Sequence, residues 1–182
     1  MKIFNILAAS GLTILGLGAS LPSLAATKAQ IDENVTTTVK EFNSLHAGNA
    51  KLSKKAAGVL VFPKVTKGGV GVAAEHGEGV LQVDGKTVGY YSIGAGSVGL
   101  TLGLAEHSEV IMFMNKETLD KFTASDGWSI GADTGITVVK SGANGEYDSL
   151  TEEKPILAFG FAEKGLIADL SLNGSKISKI KN

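Results

Sequence analysis

The period of the apolar positions changes along the chain. Residues 3–19 form an apolar run, interrupted only by Asn5, Ser10, Thr13 and small residues. From Thr27 the pattern becomes amphipathic: Ile31, Val35, Val39, Phe42 and Leu45 recur at steps of 4, 4, 3 and 3, which puts them on one face of a helix. Thr27 with Gln30 fits a capping box at its start. Gly48-Asn49 ends or kinks this helix. Ala50 to Ala57 suits a second short helix with Gly58 as its C′ residue.

From Gly58 onward the pattern is that of strands and tight turns. Val59–Phe62 predicts a short buried strand stopped by Pro63, and Leu100, Leu102 and Leu104 alternate with Thr101 and Gly103. Val110–Met114 is a continuous apolar run, the pattern of a strand buried on both faces. Asp84-Gly85, Asn144-Gly145 and Asn173-Gly174 are hairpin signals, because a type I′ turn needs positive φ at both central residues. The clearest hairpin joins Gly79–Asp84 to Lys86–Ile93. Asn115 is placed to cap a helix carrying Leu119 and Phe122, with Asp126-Gly127 beyond its end. Further strands are expected at Trp128–Ala132, Ile136–Lys140, Pro155–Phe161, Leu166–Leu172 and Lys176–Ile180. With about ten short strands and few helices, the predicted class is α+β. N-terminal helices would pack on a curved, mainly antiparallel β-sheet or barrel with Gly-rich strands.

The opening apolar run changes the domain reading. Lys2 supplies a positive start, Pro22 breaks the run, and Ser23-Leu24-Ala25 places small residues at a cleavage site. This predicts a secretory signal peptide over 1–25 and a single domain over 26–182. The expected location is periplasmic or secreted, with peripheral membrane association. The chain has no cysteine, so it needs no oxidant to fold and lacks the residue that would carry an N-terminal lipid. Its 17 basic residues are all Lys, against 18 acidic residues, for a net charge of −1. Such a balance argues against nucleic acid as a partner. An anionic partner would have to meet a local patch, and Lys51, Lys54, Lys55, Lys64 and Lys67 form one with no acid between them.

No catalytic constellation emerges. Gly94-Ala95-Gly96-Ser97-Val98-Gly99 matches G-x-G-x-x-G, but the following residues alternate as a strand rather than opening a helix, as a dinucleotide site requires. The same stretch resembles a degenerate nucleophile elbow at Ser97. His107 follows it, but no Asp lies between them and the elbow's helix is missing. Two echoing segments, Ala74–Glu78 and Ala105–Glu109, both read Ala-Glu-His-x-Glu. Glu75, His76, Glu106 and His107 would be the residues to pool into a metal site, yet adjacent strand residues face opposite sides. Solvated turns account for both segments. The expectation is therefore no catalytic residue, no cofactor and no metal, with elemental analysis to decide the matter for His76 and His107. The lone Trp128, beside the Asp126-Gly127 turn, suits either a membrane interface or a half-buried core.

Several linked segments then resemble one known family. Gly58–Gly69 (GVLVFPKVTKGG), Gly77–Leu81, Val88–Ser92, Ile111–Met114 and Ser125–Trp128 match the SYLF domain in order and spacing. Gly131–Asp133 and Gly142–Gly145 fit its second half. The resemblance covers about residues 28–181. It implies a non-enzymatic lipid-binding module, whose eukaryotic members bind phosphoinositide membranes through a Lys-bearing N-terminal segment and in some cases bind actin. Bacterial members are exported. The matching positions are Lys51, Lys54 and Lys55, with Lys64 and Lys67 in the next motif. The implied partner is an anionic phospholipid surface. An envelope protein is the alternative partner, and actin is not expected in that compartment.

Overall fold

The computed structural model describes residues 27–131, 134–139, 153–162, 165–167 and 170–181, with the backbone alone over 97–102. The expected signal peptide and the Asn144-Gly145 turn lie outside these residues.

Helix α1 spans Lys28–Leu45, and the capping box forms as expected: Gln30 N donates to Thr27 Oγ1, and Thr27 N donates to Gln30 Oε1. Its buried face carries Ile31, Val35, Thr38 and Phe42. Helix α2 starts earlier than expected, at Ala47, and ends at Lys55. Gly48 and Asn49 therefore lie inside it. The break falls at His46, whose extended backbone separates the two helices. Asn49 is fully buried and its Nδ2 donates to the carbonyl of Phe42 at 2.6 Å. That bond satisfies a carbonyl that α1 leaves without a helical partner. Gly58 opens a strand instead of capping α2, which Ala56 does.

The expected short strands merge into two long ones. Strand β1 runs from Gly58 to Val83 and β2 from Lys86 to Phe113, joined by the Asp84-Gly85 turn with φ of 50° and 72°. They pair antiparallel from Val83↔Lys86 to Gly58↔Phe113, so they make one long hairpin. Pro63 does not stop β1. It sits in a register shift between Phe62 and Val65, where its missing N–H costs no ladder bond. A second shift lies between Val70 and Val72, beside Gly71 and Gly103 at φ of 75° and 122°.

The ribbon folds back on itself. A Cβ at Gly79 would overlap the carbonyl oxygen of Val61, and one at Gly77 would lie 2.9 Å from that of Lys64. The outgoing half of β1 thus crosses its returning half with almost no space between the backbones. Strand β5 (Ile156–Ala162) pairs with the outer half of β2, at Ser108–Phe113. Strand β7 (Lys176–Lys179) pairs with the inner half, at Tyr91–Gly94. Strands β3 (Gly127–Ser129) and β4 (Ile136–Val138) extend the two sides, and β6 (Gly165–Leu166) pairs with β5. Among the described residues the resulting sheet has seven strands and is antiparallel except for β4 with β5. The Asn173-Gly174 turn forms with Gly174 at φ 84°. It does not close a local hairpin, because β7 pairs with β2 and β3. The fold is α+β, as expected.

Alternation along the strands divides the core in two. Leu60, Phe62, Ile111, Phe113, Ile156 and Ala158 face one cluster, which helix α3 (Lys116–Thr123) covers with Leu119 and Phe122. Val61, Val110, Met112, Leu157, Phe159 and Phe161 face the other, beneath Ile31, Val35, Phe42 and Leu52 of α1 and α2. Strand β5 is buried on both faces over Ile156–Phe161, the condition for a continuous apolar run. Trp128 is half-buried against the first cluster, its ring 5.3 Å from Phe122 and 6.0 Å from Phe113. It is a core-edge residue.

Candidate functional site

Two places combine polar groups with unusual surroundings. The first is the end of α2. Lys51, Lys54 and Lys55 are exposed there, the latter two in its last turn, where the helix dipole favours positive charge. Lys54 lines a cavity of about 480 Å³ together with Val39, Phe42, Ala56, Val59 and Val110. A cation thus stands in the wall of a groove between the helices and the ribbon, whose other polar lining is Asn43, Ser53, Gln82 and the carboxylate Asp84.

Lys64 and Lys67 have different surroundings. Lys64 Nζ lies 2.6 Å from Glu106 Oε1, and Lys67 Nζ lies 3.8 Å from Glu75 Oε2. The five expected lysines therefore divide into three on α2 and two that face carboxylates on the ribbon. Spacing along the chain could not reveal those carboxylates, because Glu106 and Glu75 reach the lysines only through strand pairing and the fold of the ribbon.

The second place is a buried cluster of Glu75, His107 and Glu109. One ligand-type atom from each lies within 4.8 Å of the others. His107 Nε2 is 2.8 Å from Glu109 Oε1. Glu109 is fully buried and Glu75 is 8% exposed, and each leaves one carboxylate oxygen without a hydrogen-bond partner. Burial pushes the Glu75 carboxyl above its ordinary range, the Glu109 charge adds to the effect, and His107 and Lys67 oppose it. His107 and Glu109, two apart on β2, share a face, while Glu75 arrives from the returning half of β1. The structure thus takes Glu75 from the first echoing segment and His107 and Glu109 from the second, and leaves out His76, which is exposed, and Glu106, which pairs with Lys64. Period 2 could have picked out Glu109 beside His107. Nothing local could have added Glu75.

Gly94–Gly99 runs within β2 and opens no helix, so neither the dinucleotide motif nor the nucleophile elbow has its required context. Helices α1 and α2 cover one face of the folded ribbon and leave a groove with cations beside it. Residues 94–182, from the middle of β2 onward, match the model of the Ysc84 family, described as Las17-binding protein actin regulator. This match is consistent with a SYLF-domain family member, and that family of binding domains is associated with lipid and actin binding. Gly58–Gly69 precede the matched span, yet they pair with its Gly103–Phe113 stretch of β2 in one sheet. No curated protein matches the chain.

Proposed function

We propose that this protein is a non-enzymatic, peripheral lipid-binding protein that meets anionic phospholipid surfaces at the cell envelope after export. The observation that carries this reading is Lys54 in the wall of the groove lined by Val39, Phe42, Val59 and Val110, with Lys51 and Lys55 on the same helix. Such a site offers cations to head-group phosphates and apolar walls to an acyl chain. Each lysine near an anionic bilayer contributes about 1 kcal/mol. Among the described residues no helix is long and apolar enough to cross a membrane. Lys64 and Lys67, which lie near Glu106 and Glu75, are further contacts in the same reading.

The test is co-sedimentation of the protein lacking residues 1–25 with neutral and anionic vesicles at low and high salt. Binding is expected to anionic vesicles only, weakened by salt. Replacing Lys51, Lys54 and Lys55 together by Glu should weaken it by about a hundredfold or more. Equal pelleting of the triple variant would refute the site. Export is tested by N-terminal sequencing of protein from the periplasmic fraction, with Ala26 expected first.

A second reading is an envelope protein-interaction domain without lipid affinity. It is favoured by the folded ribbon, where Val70, Val72 and Leu104 are 79%, 63% and 72% exposed. Salt-insensitive capture of an envelope protein with no vesicle binding would select it.

A further inference from the structure

We infer that Glu75, His107 and Glu109 form a binding site for a divalent transition ion of the zinc type. Both carboxylates are more than nine-tenths buried, a carboxylate oxygen of each lies within 4.8 Å of a His107 ring nitrogen, and each keeps one oxygen without a hydrogen-bond partner. Such an oxygen forfeits its hydration unless something in the protein replaces it. The His107 ring is the nearest partner, and its Nε2 meets only Glu109 Oε1 among these oxygens. Lys67 reaches the outer oxygen of Glu75 at 3.8 Å and is 42% exposed. A dication would give both buried carboxylates the partner that their free oxygens lack.

The donor set narrows the ion. One imidazole nitrogen with two carboxylate oxygens suits zinc and its neighbours, whereas calcium and magnesium prefer oxygen alone. A tetrahedral ion with bonds of about 2.0–2.2 Å needs ligands roughly 3.5 Å apart. The present spacing, from 2.8 Å to within 4.8 Å, reaches that with small side-chain shifts. Binding through Nε2 takes the tautomer with the proton on Nδ1, so the ion replaces the hydrogen bond to Glu109. Three protein ligands leave one tetrahedral position for water or another small ligand. His107 also stands in the wall of a cleft of about 550 Å³ that includes Glu41, Lys64, Glu106 and Phe161. Of the three ligands His107 alone lines this cleft, so the cleft reaches the cluster at the imidazole.

The test uses the full chain, stripped with chelator and titrated with Zn²⁺ by calorimetry. One ion per chain should bind, and the thermal midpoint should rise with added Zn²⁺. Co²⁺ in its place should give visible bands of a nitrogen- and oxygen-ligated ion. Glu75→Gln and His107→Gln should each weaken Zn²⁺ binding about tenfold or more, with circular dichroism confirming the fold. His76→Gln should leave it unchanged. If a ligand variant fails to fold, Lys67→Ala still tests the site, because removing the competing ammonium should tighten Zn²⁺ binding. Absence of Zn²⁺ binding, binding indifferent to Lys67 and the ligand variants, or a preference for Ca²⁺ would overturn the assignment.

Discussion

Gly79 shows how much of this fold hangs on a single missing side chain. The Val61 carbonyl oxygen occupies the place where its Cβ would be, and the Phe62 ring lies 2.8 Å from the same point. Val61 and Phe62 are fully buried and hold the two core clusters from opposite faces. They have nowhere to move, since interiors packed at crystal density transmit strain instead of absorbing it. Gly79→Ala is expected to destabilise the protein by about 3 kcal/mol or more, read as a shift of the urea midpoint. Gly85→Ala changes no packing, but it places a side chain at φ 72° in the turn. Its cost should be about 1 kcal/mol. Equal costs at the two positions would show that the halves of β1 do not cross as closely as described.

At the scale of elements, the helical pair is held as a unit by a buried amide. Asn49 donates to the Phe42 carbonyl, while Phe42 itself packs its ring 5.0 Å from Phe159 of β5. Position and packing are thereby coupled: the bond that joins α2 to α1 also fixes the helix end that meets the sheet. Asn49→Ala is expected to cost about 1–3 kcal/mol, because the carbonyl is left buried without its partner. The groove beside Lys54 is walled by both helices. The same variant should therefore weaken vesicle binding, whereas Thr27→Ala, at the far end of α1, should cost about 1 kcal/mol and leave vesicle binding intact. Undiminished vesicle binding by a folded Asn49→Ala protein would separate the groove from lipid recognition.

At the scale of the whole molecule, the described residues bury most of their large apolar side chains, and the exceptions cluster. Three of the four large apolar side chains exposed among the described residues, Val70, Val72 and Leu104, lie on the ribbon near its Gly71 and Gly103 bends. Exposed side chains contribute little to stability, and charged replacements there should shift it by less than about 0.5 kcal/mol. Val70→Glu with Val72→Glu is therefore a clean functional probe. Under lipid binding through α2 it leaves vesicle association unchanged. A strong loss would place the ribbon, and not the α2 groove, at the membrane.

Much of the secondary structure is legible in the sequence because its causes are local. The capping box at Thr27, the period of the α1 apolar face, the Asp84-Gly85 turn and the Asn115 cap of α3 each depend on residues within a few positions of one another. The Lys-bearing α2 and the family-like order of motifs are equally local. What the sequence did not determine rests on contacts between distant segments. Pro63 reads as a stop until the register shift that accommodates it is seen, and the separate strands read as short until pairing joins them. The Glu75–His107–Glu109 cluster needed the ribbon to fold back, since strand periodicity relates His107 to Glu109 but never to a residue 32 positions away in the sequence. Local preferences set which elements form; close approach of backbones at Gly77 and Gly79 decides which of their side chains meet.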